Sequence, residues 1–90
     1  MIVSEITVTH RYGLHARPSQ RLASLASRFA CSIEVEYGKD RVDAKSVLNL
    51  ISLGVQRSSS LKFFFNGADE VAAESQIIDL VRRNFDLDED

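Results

Sequence analysis

Ninety residues at 44% hydrophobic and 27% charged content have the ordinary composition of one globular domain, too short for two cores and too thin to enclose a deep enzymatic pocket. The formal charge is −2, and the four acids of the tail Asp86-Leu87-Asp88-Glu89-Asp90 leave about +2 on the remainder, which argues against a strongly basic nucleic-acid face. The single cysteine, Cys31, has no Cys-x-x-Cys partner, and the two histidines do not cluster, which excludes an internal disulfide, argues against a metal site and fits a reducing cytosol.

The first residues lack a basic segment followed by a long apolar stretch, and no apolar run approaches the roughly 20 residues of a bilayer span. A cytoplasmic protein that is not membrane-embedded is therefore expected. Ile2, Ile6 and Val8 oppose Glu5, Thr7 and Thr9, the period-two pattern that predicts a half-buried strand over residues 2 to 8. After Arg11-Tyr12-Gly13 the period changes. Leu22, Leu25, Ala26 and Phe29 recur at i, i+3, i+4 and i+7, the stripe of an amphipathic helix with Pro18 in its first turn. Ile33, Val35 and Tyr37 alternate with Glu34 and Glu36, and Gly38-Lys39 separates them from Asp40 to Asp43, predicting a hairpin of two short strands.

Ser46 is the natural N-cap of a short helix through Val47 to Leu53, stopped by Gly54. Leu61, Phe63 and Phe65 alternate with Ser60, Lys62 and Phe64 up to Asn66-Gly67, a fourth strand. Asp69 and Glu70 open a last helix with Ala73, Ile77, Leu80 and Val81 facing inward and Arg82-Arg83 in its final turn, matching the helix dipole at both ends. The order β-α-β-β-α-β-α with half-polar strands predicts an α+β fold, an antiparallel sheet covered on one face by helices. The acidic tail, residues 86–90, is expected to be flexible.

The segment Gly13-Leu14-His15-Ala16-Arg17-Pro18 lies where the first strand gives way to the first helix. A helix start offers unused backbone N–H groups and a partial positive charge, so a phosphoryl group on His15 would meet ready-made donors. Arg17 can add the planar fork of a guanidinium, Gly13 permits a tight approach, and Pro18 fixes the first turn. By physics alone, a histidine near a helix start is more often a cap or a surface residue. His10 is expected at the surface at the end of the first strand, Cys31 in packing or at a strand edge, and Phe64 on the open sheet face without a role. The short helix is apolar on two sides. At about 100° per residue, Val47, Ile51 and Leu48 fall near 0°, 40° and 100°, whereas Leu50 and Leu53 fall near 300° and 240°. Leu50 and Leu53 are expected in the core, and Val47, Leu48 and Ile51 as an exposed docking patch.

Gly13-Leu14-His15-Ala16-Arg17-Pro18 resembles the active-site signature of the HPr family, the histidine phosphocarriers of the phosphoenolpyruvate-dependent sugar phosphotransferase system. The segment from Lys45 through Ser46 to Gly54 is similar to that family's regulatory serine region, and the resemblance covers nearly all of residues 1 to 85. It implies an open-faced β-sandwich, a four-stranded antiparallel sheet under three helices. It also implies a carrier rather than an enzyme, without cofactor and expected to be monomeric. The phosphoryl group would come from enzyme I to Nδ1 of His15 and pass to an enzyme IIA domain, with Arg17 stabilising it. The same resemblance makes Ser46 a target of HPr kinase/phosphorylase and brings the short helix to both partners, adjoining Val47, Leu48 and Ile51 to His15. An HPr paralogue in a regulatory or nitrogen-type phosphorelay, moving no sugar, is the alternative reading. Ser24, Ser27 and Asn49 stand where many family members carry lysine or other partner-facing groups. Arg21, Arg28, Lys45 and Arg57 are the candidate replacements for that charge.

Overall fold

The structure, a computed structural model, describes residues 1–11 and 13–87. Four strands, β1 (Ile2–Val8), β2 (Ser32–Tyr37), β3 (Asp40–Asp43) and β4 (Ser59–Asn66), form one sheet in the order β1-β4-β2-β3, every neighbouring pair antiparallel. Three helices, α1 (Ala16–Ala26), α2 (Val47–Ser52) and α3 (Glu70–Arg82), complete the open-faced sandwich.

Period-two alternation turns into layers directly. Leu61, Phe63 and Phe65 of β4 are buried, and Ile6, Val8, Ile33 and Val35 lie on the same side of the flanking strands. Phe63 and Phe65 stack with ring centroids 6.0 Å apart; burying each large side chain stabilises the fold by roughly 1.5–3 kcal/mol. Phe64, on the opposite face, is half-buried under the guanidinium of Arg41 at 3.6 Å, and Arg41 Nε donates to Glu34 Oε1 at 2.8 Å. The inward face of α3 is Ala73, Ile77, Leu80 and Val81, as its spacing predicts.

Two expectations need correction. The buried side of α1 is Pro18, Ser19, Leu22, Ala23 and Ala26; Leu25 and Phe29 are half-buried and pack against the core as the stripe predicts, but Phe29 lies beyond the helix end. The small residues Ser19 and Ala23 let the helix sit close, and the Ser19 hydroxyl is satisfied by donating to the Leu14 carbonyl at 3.0 Å. His10 is not at the surface but only 3% exposed. The chain turns back immediately after it, with Gly13 N donating to His10 O at 2.9 Å. That turn directs the imidazole edge-on to buried Phe85, at a centroid distance of 6.2 Å. Phe85 belongs to a 3₁₀ turn, Asn84–Asp86, in which all three residues have left-handed φ of 52°, 58° and 57°. Asp86 accepts from Arg83 Nε at 2.8 Å and Leu87 packs against the core; the rest of the acidic tail, 88–90, lies outside the described residues.

The start of α3 is tied to the start of β2. The Asp69 carboxylate accepts from Ala30 N at 2.8 Å and Cys31 N at 2.9 Å, and the Ala30 N–H foremost holds this carboxyl below its usual range. Cys31 is buried, and that burial, followed by Asp69 beside it, pushes its thiol up.

Candidate phosphoryl-accepting site

His15 is the N-cap residue of α1, with extended backbone angles of φ −74° and ψ −168°, and its side chain makes no capping bond. The imidazole is exposed. Its carbonyl accepts the first helical bond, from Ser19 N at 3.0 Å. Pro18 has no N–H, so the donors that the first turn leaves unused are those of Ala16 and Arg17, next to the imidazole in sequence. Arg17 is itself exposed.

Gly13 sets the approach of this turn. Its φ is +64°, and a Cβ there would lie 2.1 Å from the Val55 carbonyl oxygen, so only glycine fits. The next residue, Leu14, is buried and donates its N–H to that oxygen at 3.1 Å. The loop carrying His15 is thereby fastened to the loop that follows α2. Two hollows open beside the imidazole. One is lined by Leu14, His15, Ala16, Ile51, Gly54, Val55 and Gln56, and is largely apolar. The other is lined by Arg11, His15, Gln56 and Arg57.

Ser46 caps α2, its hydroxyl accepting from Asn49 N at 3.3 Å. Leu50 and Leu53 are buried, whereas Leu48 is 78% exposed and Ile51 38%. Val47 is only half-buried and packs against the core, so the outward apolar surface of α2 is chiefly Leu48 and Ile51. Ile51 shares a hollow with His15; Ser46 and Arg17 line neither hollow.

The four candidate cations separate. Lys45 Nζ donates to the Phe29 carbonyl at 2.8 Å. Arg21 and Arg28 line a groove between α1 and α3 that also holds Arg83 and Asp86. Arg57 faces the His15 hollow. Arg11 at that hollow was missed from sequence, because nothing in a loop's composition says which other loop it will meet. Ser24, Ser27 and Asn49 are exposed. Among the described residues no cluster of three or more His, Cys, Asp or Glu is arranged to hold a metal, and no helix is long and apolar enough to cross a membrane.

The sequence profile of the family described as PTS HPr component phosphorylation site matches residues 2–83. Phosphocarrier protein HPr of Treponema pallidum (strain Nichols) is 36% identical over 86 residues, covering 96% of this chain and 98% of that one. The crystal structure of HPr-C-His from Thermoanaerobacter tengcongensis superposes with a TM-score of 0.93 at 34% identity, covering 98% of this chain and 99% of that one. A phosphocarrier protein HPr from Bacillus anthracis str. Ames superposes with a TM-score of 0.83 at 27% identity, covering 87% and 93%.

Proposed function

This chain belongs to the HPr family of phosphocarrier proteins of the phosphotransferase system, and from that premise we propose that it accepts a phosphoryl group from enzyme I on Nδ1 of His15 and passes it to an enzyme IIA domain. The observation that carries the proposal is the exposed imidazole at the N-cap position of α1, its side chain making no capping bond and lying adjacent to the donors of the first turn.

The chemistry follows from that placement. The imidazole lone pair attacks phosphorus, the bond from phosphorus to the donor breaks, and the ring proton leaves to solvent or the departing group. Phosphoryl transfer proceeds through a loose transition state, so the carrier's contribution is positioning and charge stabilisation rather than covalent assistance. The Ala16 and Arg17 N–H groups and the helix dipole favour the transferred dianion, and the Arg17 guanidinium reaches its equatorial oxygens. In this reading the protein is a substrate turned over by its partners in the cytoplasm, not an enzyme, and it needs no cofactor. Leu48 and Ile51, with the outer edge of Val47, form the apolar centre of the docking surface, which buries against each partner in turn.

Ser46 is proposed as a second, regulatory phosphorylation site. A phosphate there adds nearly two negative charges within two residues of Leu48, charging the rim of an apolar docking face and slowing acceptance from enzyme I. The test of the main proposal is incubation with enzyme I and labelled phosphoenolpyruvate. An acid-labile, base-stable adduct on the native chain, absent from His15→Ala, is the expected result; full labelling of the variant refutes the assignment.

A further inference from the structure

We infer that Arg11 and Arg57 form a second cationic clamp for the phosphoryl group carried by His15, separate from Arg17. The inference rests on the phosphocarrier reading and extends it to two residues outside the helix-start motif. The hollow of about 320 Å³ that contains the imidazole is otherwise lined by Arg11, Gln56 and Arg57, two guanidinium groups and a carboxamide. No carboxylate is among the described residues that line it. An anion held on the imidazole would stand in the field of both positive charges, and that attraction grows as the anion gains charge. The anion the site is built to receive is the one bonded to the imidazole.

The placement follows from strand pairing. In the register of β1 with β4, Val8 lies opposite Ser59, and Ser58 N donates to Val8 O at 2.7 Å just beyond it. Arg11 and Arg57 therefore leave the same end of the same two strands. The two loops are fastened again where Leu14 N meets Val55 O, so both arginines are held on segments anchored at either side. Ser58, next to Arg57, has a φ of 69°, a left-handed conformation that a non-glycine residue keeps only where its surroundings impose it. The backbone that presents Arg57 is thus closely determined.

Arg41 and Arg83 have different duties. Arg41 lies over Phe64 and pairs with Glu34, and Arg83 pairs with Asp86. The planar fork of an arginine suits phosphate oxygens better than a lysine point charge does, and two forks from different loops can hold the group from a side that Arg17 does not line.

The test phosphorylates His15 chemically with phosphoramidate, so that no partner protein is needed. The phosphorus–nitrogen bond of the reagent breaks, ammonia leaves with the ring proton, and the new bond forms to the imidazole. The pH titration of the adduct is then followed by phosphorus NMR in the native chain, Arg11→Gln, Arg57→Gln, the double variant and Arg57→Lys. Removing an opposite charge favours the protonated phosphoryl group, so each Gln variant should raise the titration midpoint by roughly half a unit, the double variant by about one, and Arg57→Lys should recover most of the loss. Identical midpoints in all five folded proteins, or no adduct on native His15, overturn the clamp. Identical midpoints with a raised KM for enzyme I also overturn it and assign both arginines to docking. A shifted midpoint in a chain that enzyme I cannot label leaves the clamp standing and refutes the phosphocarrier reading instead.

Discussion

Gly13→Ala tests whether the position of His15 depends on the contact between its loop and the loop after α2. The added Cβ would stand 2.1 Å from the Val55 oxygen, 2.8 Å from Gln56 Cα and 2.9 Å from Val55 C, all backbone atoms that no rotamer change can clear. Ordinary contact requires the two loops to part by about 1 Å or more at the oxygen, which removes the Leu14 N–H to Val55 bond, worth about 0.5–1.5 kcal/mol. A left-handed φ of +64° in a residue with a Cβ costs about 1–2 kcal/mol more. Together with disturbed packing around buried Leu14, a loss of about 2–4 kcal/mol is expected. In a domain of this size that lowers Tm by roughly 10–25 °C. Thermal or urea unfolding measures the loss, and a rapid-quench assay at low temperature measures phosphoryl acceptance by the fraction still folded. Acceptance should fall at least tenfold, since small displacements of reacting groups are costly. Native Tm and native acceptance in Gly13→Ala would show that the loops can separate freely and that glycine is not what positions His15.

Leu48→Glu should change stability by no more than about 0.5 kcal/mol yet raise KM for enzyme I severalfold, whereas Leu50→Ala, from the opposite face of α2, should cost about 2–5 kcal/mol; equal stability losses would reverse the assignment of the two faces. Ser46→Ala should cost about 0.5–2 kcal/mol by removing the cap on Asn49 N, and Ser46→Asp should fold but accept phosphate from enzyme I more slowly. Native acceptance kinetics in Ser46→Asp would remove the regulatory reading. Asp69 has a folded pKa held below its unfolded value by the Ala30 and Cys31 N–H groups, so its contribution to stability is present above about pH 4 and is lost as pH falls through the folded value. Asp69→Asn should therefore be less stable than the native chain at pH 7, and the difference should shrink below pH 4; a difference independent of pH would contradict the carboxylate's role.

What was legible in the sequence was local. Strands whose inward residues alternate without interruption, such as Leu61, Phe63 and Phe65, keep one face under any packing, so β1 and β4 lie where period two puts them. The inward stripe of α3 is continuous for the same reason at period 3.6. The short helix offered two apolar faces, and its burial divides them along the Leu50 and Leu53 side. Contacts between distant segments were not legible. His10 looks like a strand-end polar residue until the chain reversal at Gly13 and the 3₁₀ turn around Phe85 enclose it. Asp69 reads as a helix cap, yet its carboxylate serves Ala30 and Cys31, 39 and 38 residues away. Searching for large apolar residues favoured Leu25 and Phe29 and passed over Ser19 and Ala23, whose small size brings α1 against the core. In the site, the Gly13-to-Pro18 motif marked His15 and the helix start, whereas the meeting of Arg11 and Arg57 depends on the β1–β4 register and could not be read from either loop.

Site-resolved NMR of the uniformly ¹⁵N-labelled chain after incubation with enzyme I and phosphoenolpyruvate is the most direct test of the central claim. A single phosphorus coupling at Nδ1 of His15, lost when an enzyme IIA domain is added and regained with fresh phosphoenolpyruvate, is the predicted result. Phosphorus on any other side chain, or on His15 but never transferred to an acceptor, would contradict it.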